Sequence, residues 1–117
     1  MSTRESDVFT KLKARITRPK DRFERVENGL VDGMPDVNYC LAGVEGWLEL
    51  KAPQLPARPE TPLMKSGHGV LQAQANWALK QLRAGGRCAL FIATRERLLL
   101  LPGAELAKRG CTLNEHP

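Results

Sequence analysis

The stretch that decides the fold spans residues 33–53 and reads GMPDVNYCLAGVEGWLELKAP. Its apolar residues alternate with other residues over 36–42 and again over 46–52, and this period of two predicts two β-strands. The segment between them, Gly43-Val44-Glu45-Gly46, predicts a hairpin turn. We expect Val44 and Glu45 to be the two residues at the tip of this turn.

That turn fixes which residues lie opposite one another. Cys40 would face Glu49 and Asn38 would face Lys51, with Asp36 one step beyond. Asp36, Glu49 and Lys51 would then share one face of the hairpin, because side chains alternate across a strand. The other face would be apolar or amphipathic throughout, as a core requires, and would carry Val37, Tyr39, Leu41, Leu48, Leu50 and Ala52. The hairpin therefore predicts one face for packing and one for charge.

The charged face has two interpretations. Asp36, Glu49 and Lys51 would form either an ion-pair ladder on a two-stranded edge, which is common, or a catalytic site. Two carboxylates a few ångströms apart repel each other unless a cation lies between them. Mg²⁺ takes oxygen ligands from carboxylates, water and substrate phosphate, and the backbone carbonyl of Leu50 would add a further oxygen. These groups suit metal-assisted hydrolysis of a phosphodiester.

The rest of the chain predicts three helices and three more strands. Helical spacing of apolar residues, with capping and breaking residues at the ends, predicts helices at Ser2–Arg15, at Val70–Ala84 and just after Pro102-Gly103. Short apolar runs predict strands at Arg22–Glu27, Arg87–Ala93 and Arg97–Leu101. The second of these three is nearly all apolar and should be central in the sheet. The order αβββαββα indicates an α/β fold with a mixed β-sheet flanked by helices.

We expect residues 1–117 to form a single domain, because a chain of this length can bury one modest core. Residues 53–69 contain four prolines at three-residue spacing and predict a long, extended loop. Residues 112–117 predict a frayed tail. Neither an internal repeat nor a low-complexity segment divides the sequence further.

The charge of the chain favours a polyanionic partner. The net charge is +5, and the first 25 residues hold eight Lys or Arg against four acidic residues. Such a balance is typical of proteins that bind nucleic acid first and membrane surfaces second. No apolar run approaches the roughly 20 residues needed to cross a bilayer, so we expect no membrane-spanning segment.

The cysteines and the N-terminus indicate a compartment. Cys40, Cys88 and Cys111 are widely spaced without a CxxC pair, which is typical of reduced thiols in a cytosolic protein. The first 15 residues lack the apolar core of a signal peptide. We therefore expect a cytoplasmic protein of a bacterium or of a phage-infected host cell, since the small size would suit a phage or mobile element.

Pro35-Asp36, twelve intervening residues and then Glu49-Leu50-Lys51 resemble the PD-(D/E)XK signature of restriction-endonuclease-like nucleases. The Gly-x-Pro-Asp start, the hairpin and a following helix with Gln resemble the VRR-NUC branch and its relatives, the archaeal-type Holliday junction resolvases. Residues 70–77 (VLQAQANW) and 82–86 (LRAGG) match that helix and select Gln74 over Gln72. The resemblance covers about residues 1–101, although the connection from Lys51 to Gln74 is longer than is usual in the family.

The resemblance implies a Mg²⁺-dependent DNA endonuclease with a restriction-endonuclease-like fold, in which Mn²⁺ is a possible substitute for Mg²⁺. It implies metal ligation by Asp36, Glu49, the Leu50 carbonyl and Glu5, positioning of the attacking water by Lys51, and orientation of water or phosphate by Gln74. Family members of this size usually act as homodimers, so it also implies a homodimer that cuts Holliday junctions or other branched DNA. The alternatives are a non-catalytic DNA-binding or assembly module that retains the fold, and an RNA-directed nuclease.

Several of these residues keep a structural explanation beside the functional one. Glu5 fits a capping box with Ser2, and Gln74 fits a solvated helix position. Trp47 falls on the charged side of the hairpin, where it would pack against DNA or under the first helix. The basic residues in or beside loops are the expected phosphate contacts: Arg18, Lys20, Arg22, Arg25, Arg58 and Lys65. The basic residues of the N-terminal run also suit a solvated helix surface. Arg58 and Lys65 lie in the proline-rich loop, which could instead be a tether or contact a second subunit.

Overall fold

The computed structural model describes residues 3–26, 31–53, 72–94 and 98–109. The helices are α1 (Thr3–Ala14), α2 (Gln72–Arg83) and α3 (Gly103–Arg109). The strands are β1 (Arg22–Arg25), β2 (Val37–Leu41), β3 (Val44–Lys51), β4 (Cys88–Ala93) and β5 (Leu98–Pro102), so the predicted order αβββαββα is confirmed. Most of the predicted loop 53–69, the tail 112–117, and the expected DNA contacts Arg58 and Lys65 lie outside the described residues. Within the described ranges, no helix has the length and apolar character needed to span a membrane.

The five strands form one mixed sheet in the order β1-β2-β3-β4-β5. Neighbouring strands are antiparallel except for β3 and β4, which are parallel. A parallel pair needs a crossover connection, and α2 lies in that connection. The apolar β4 lies between β3 and β5, as its composition predicts.

One face of the sheet is covered by α1. The helical spacing of its apolar residues brings them onto a single side, where Phe9 stacks on Phe23 with 5.4 Å between the ring centroids. Val8, Leu12 and Ile16 pack with it against a buried cluster that consists of Phe23, Val37, Leu48 and Leu50. This is the apolar face that the hairpin sequence predicts.

The other face is covered by α2 and α3. Ala75 and Ala78 of α2 are fully buried, and their small side chains let the helix approach Leu90 and Ile92 of β4 closely. Trp47 of β3 lies on this face as predicted. However, it packs edge-on against Trp77 of α2, with ring centroids 5.6 Å apart, and not under α1.

The predicted hairpin turn is wrong. Val44 and Glu45 belong to β3, and the turn is Ala42-Gly43, whose φ angles are 53° and 80°. Two successive positive φ angles form the turn that best matches the twist of a hairpin, and a β-branched valine disfavours that conformation. Gly46, taken from the sequence as a turn residue, instead lies opposite Tyr39, whose hydroxyl occupies the space where a Cβ atom would be.

The predicted strand pairing is wrong by four residues. Cys40 pairs with Glu45, not with Glu49, and Asn38 pairs with Trp47, not with Lys51. An even shift leaves every side chain on its predicted face, because the side-chain period of a strand is two. Asp36, Glu49 and Lys51 therefore remain on one face of the sheet. If the observed register is continued by one residue beyond Val37, Asp36 lies directly opposite Glu49.

Candidate active site

Asp36 is held at the start of β2 by main-chain hydrogen bonds. Its carbonyl accepts a hydrogen bond from the Val26 amide at 2.7 Å, which ties the residue to the chain after β1. Its side-chain Oδ2 accepts a hydrogen bond from the Leu50 amide at 3.1 Å. The carboxylate is therefore fixed beside β3 by a donor that any non-proline residue at position 50 would supply.

Glu49 is the most deeply buried charged residue of the described chain, with 2 % of its surface exposed. Its Oε2 lies 3.8 Å from the Lys51 ammonium, whose side chain is 13 % exposed. Its Oε1 has no hydrogen-bond partner among the described residues. An unsatisfied buried carboxylate oxygen destabilises a fold. This atom therefore indicates either an additional ligand or a functional role for Glu49.

Burial raises the pKa of Glu49 well above its usual value, and the nearby Asp36 carboxylate raises this pKa further. Lys51 opposes the shift by favouring the charged form, while the charge of Glu5 acts in the raising direction. Three acidic groups and one ammonium therefore influence each other here. The excess of negative charge is what a bound divalent cation would offset.

Asp36 and Glu49 form a pair of carboxylates, not a complete protein cage. Within residues 3–26, 31–53, 72–94 and 98–109, no three His, Cys, Asp or Glu side chains come close enough together to hold a metal ion. Glu5 of α1 is within electrostatic reach of Glu49. The pair still fits Mg²⁺, because this ion commonly binds one or two carboxylates and completes its shell with water and substrate phosphate.

The first turn of α2, which carries Gln74, touches the loop that leads to Asp36. Gly33 has a φ of 80°, and a Cβ atom on it would overlap the Ala73 carbonyl and lie 2.7 Å from the Gln74 amide nitrogen. Only glycine permits this approach of two backbones. The first turn of α2 is thereby held against the chain that precedes Asp36, and Gln74 is half-buried there.

The predicted DNA contacts separate into two groups. The β1–β2 register places Arg22 opposite Cys40, on the sheet face of Asp36 and Glu49, whereas Arg25 lies opposite Val37 on the face of α1. Arg22 is exposed and forms ion pairs with Glu24 at 3.2 Å and Glu45 at 3.9 Å. Outside the strands, Lys20 is exposed in the turn before β1, and Arg18 pairs with Asp21 at 3.6 Å.

Sequence reasoning missed two features of the site. It did not foresee that Gly33 contacts α2, where a Cβ atom would overlap the Ala73 carbonyl. It also did not pair Trp47 with Trp77, an arrangement that fixes α2 over β3. The Gly-x-Pro-Asp spacing contains the signal for the first feature, but no local pattern contains the second.

No family model matches the sequence, and no curated protein matches it. Among solved structures, the chain is similar to Hjc, a Holliday junction resolvase from the archaeal hyperthermophile Archaeoglobus fulgidus. The TM-score is 0.55 at 16 % sequence identity, and the match covers 86 % of this chain and 70 % of that one. The fold is therefore the predicted restriction-endonuclease-like α/β fold, with its mixed sheet flanked by helices. The narrower assignment to the VRR-NUC branch stays a prediction.

Proposed function

We propose that this chain is a Mg²⁺-dependent DNA endonuclease that hydrolyses phosphodiester bonds. The observation that carries the proposal is Glu49, a buried carboxylate beside Asp36 with an oxygen that no described residue satisfies. Leaving such a group unpaired costs about 1–3 kcal/mol or more. A buried carboxylate with an unpaired oxygen is therefore expected mainly at functional positions. A cation between the two carboxylates removes the cost.

The residues present fit a hard divalent cation. Asp36 and Glu49 would hold it, with the Leu50 carbonyl as a further ligand and Glu5 as a candidate that approaches on binding. When bound, Mg²⁺ would polarise the scissile phosphate and neutralise the repulsion between the carboxylates, and Mn²⁺ would serve in its place.

Lys51 and Gln74 supply the polar groups for hydrolysis. The Lys51 ammonium, next to Glu49, would position the attacking water and donate to phosphate oxygens as negative charge develops. The Gln74 amide both donates and accepts, which suits it to orient the water or the scissile phosphate. Water attacks phosphorus, one ester P–O bond breaks, and the products are a phosphate end and a hydroxyl end.

The DNA would approach over β1 and β2. On the face that carries the carboxylates, α2 and α3 pack against β4 and β5, while Arg22, Asn38 and Cys40 of the first two strands remain exposed or half-buried. Arg22 would exchange its acidic partners for phosphate. Lys20 lies in the turn that enters β1, and Arg18 lies just before it, so both would add positive charge near Arg22 in the chain.

Branched DNA is the proposed substrate, because a similar solved structure is that of a Holliday junction resolvase. Two strands must be cut to resolve a junction, and a homodimer would supply two sites. Leu98 and Leu100 on the edge strand β5 are 70 % and 67 % exposed, which suits a contact between two copies. The proposed location is the cytoplasm, where DNA and reduced cysteines occur together.

A cleavage assay on a synthetic four-way junction tests the function. Wild type, Lys51→Met and the exposed-lysine control Lys108→Ala are compared in Mg²⁺, Mn²⁺ and EDTA, with binding measured in parallel. We expect cleavage by wild type and by the control in either metal, a loss of about 10²–10³-fold in Lys51→Met, and none in EDTA. DNA binding without cleavage in either metal would refute the enzyme proposal and favour a DNA-binding or assembly module. Faster cleavage of a matched RNA junction would refute the assignment to DNA.

A further inference from the structure

A cleft of about 480 Å³ lies between the start of the 31–36 loop and one side of α2. Its lining on the helix consists of positions three and four residues apart, which share one side of a helix. The lining residues are Val31, Asp32, Ala73, Asn76, Trp77, Lys80 and Gln81. The catalytic proposal uses none of these side chains.

The cleft is lined by the loop that leads to Asp36 and by the helix that carries Gln74. Asp32 lines the cleft and lies four residues before Asp36 on one loop, and Ala73 lines it and precedes Gln74 on one helix. The contact of Gly33 with Ala73 joins that loop to that helix. A DNA strand with its scissile phosphate at the carboxylates would then bring a neighbouring nucleotide toward this cleft.

The lining suits a nucleobase better than a second phosphate. A phosphate site gathers cations and backbone amides, whereas here Lys80 is accompanied by a carboxylate, that of Asp32. Asn76 and Gln81 add amides, and the half-buried Trp77 adds part of an aromatic ring. Mixed donors and acceptors beside an aromatic ring are the groups that proteins use to hold unstacked bases.

Asn76 is the polar group best placed to contact such a base. It is exposed, and its Oδ1 accepts a hydrogen bond from Gln72 Nε2 at 3.0 Å. This bond orients the amide and leaves its N–H₂ group as the end that donates to a ligand. Nucleobases offer ring nitrogens and carbonyl oxygens as acceptors.

We propose that this cleft binds the base of an unpaired nucleotide next to the scissile phosphate. The inference rests on the proposed nuclease function and adds a source of selectivity to it. Removing a base from a continuous duplex costs unstacking and unpairing energy, and this cost is least where the base is already unpaired. The cleft would therefore favour junctions and flaps with unpaired nucleotides over an uninterrupted duplex.

Binding of a flap DNA in EDTA tests the inference without cleavage. The nucleotides around the branch are replaced one at a time by abasic sites, and affinities are measured for wild type, Asn76→Leu and Arg83→Ala. Arg83 is exposed on the same helix but does not line the cleft. For wild type we expect one position at which the abasic site weakens binding about tenfold, near the lower end of what base stacking contributes. Arg83→Ala should keep this penalty, and Asn76→Leu should reduce it severalfold.

The outcomes separate the two proposals. If wild type binds the flap but no abasic position matters, or if Asn76→Leu keeps the full penalty, the cleft inference is refuted while the nuclease proposal stands. If wild type binds the DNA with the expected penalty but fails to cut it in Mg²⁺ and Mn²⁺, the catalytic proposal fails and the base site survives as a property of a binding module. If wild type does not bind the DNA at all, both fail.

Discussion

Replacing Gly33 with alanine tests the contact that joins the Asp36 loop to α2. The residue has a φ of 80°, and a Cβ atom would overlap the backbone carbonyl of Ala73. Two separate costs follow. The first is the left-handed backbone conformation, and the second is the displacement of a helix backbone, which cannot move aside as a flexible side chain would.

The structure provides a control that separates these costs. Gly43 has the same φ of 80°, and nothing lies within 4 Å of a Cβ atom built on it. Gly43→Ala should therefore lower the free energy of unfolding only by the conformational cost, about 1–2 kcal/mol. Gly33→Ala should lower the free energy of unfolding by the same amount and by about 1–3 kcal/mol more, which is typical of overpacking. We expect a total of about 2–5 kcal/mol.

Urea unfolding followed by tryptophan fluorescence measures both variants, since Trp77 lies on α2 and reports on its attachment. Cleavage of junction DNA should fall with the stability of Gly33→Ala and stay near wild type in Gly43→Ala. Equal losses of unfolding free energy in the two variants would refute the reasoning. The loop would then not touch α2, and the proposed role of Gln74 would lose its support.

Four further predictions follow from the site and the edges of the sheet. Because burial raises the pKa of Glu49 in the folded state, its contribution to stability is complete below the ordinary pKa of 4.5 and is lost as pH rises through the raised pKa. The neutral variant Glu49→Gln should therefore become more stable relative to wild type as pH rises from 4.5 through the raised pKa. A difference in unfolding free energy that does not change with pH would contradict this. Mg²⁺ at 100 times its dissociation constant should stabilise wild type by about 2.7 kcal/mol in thermal or urea unfolding and leave Asp36→Asn unaffected, whereas equal stabilisation would place the ion elsewhere. Arg22→Ala should lower the slope of log affinity for duplex DNA against log salt by about 0.9, and Arg25→Ala on the other sheet face should not, so equal slopes would count against the proposed approach. Leu100→Lys should shift the chain to a monomer in light scattering without loss of fold, and an unchanged mass would argue against a contact through β5.

The sequence was sufficient to predict which residues share the charged face of the hairpin. Asp36, Glu49 and Lys51 are found together even though the turn was predicted at the wrong residues. This prediction is correct because the register is wrong by an even number of residues, and an even shift leaves each side chain on the same face of the sheet. An odd error would have exchanged the buried and charged faces, and the apolar pattern of the strands excluded that.

The turn was predicted at the wrong residues because two glycines, Gly43 and Gly46, flank Val44 and Glu45. Gly43 forms the turn, with Ala42 taking the other positive φ angle. Gly46 was taken as the end of the turn, but its lack of a side chain accommodates the Tyr39 hydroxyl across the strand pair. Local sequence does not distinguish a glycine needed for its backbone angle from one needed for space, because the second need depends on a partner strand.

The depth of Glu49 also could not be predicted from its own strand. Alternation places it on the face opposite Leu48 and Leu50, but its burial depends on what covers that face. The cover includes α2, which is distant in sequence and held by the contact of Trp47 with Trp77. The raised pKa of Glu49 is therefore a consequence of tertiary packing, since burial is its largest cause.

The hydrogen bond from the Leu50 amide to Asp36 has a consequence for how this chain can change over time. The side chain at position 50 is fully buried in the core on the α1 face, while its main chain orients a carboxylate on the other face. Replacing this leucine with isoleucine or methionine would alter core packing and leave the amide donor in place. Apolar substitutions in the core could thus change stability while the neighbouring carboxylates keep their positions, because side chains at adjacent positions of one strand belong to opposite faces of the sheet.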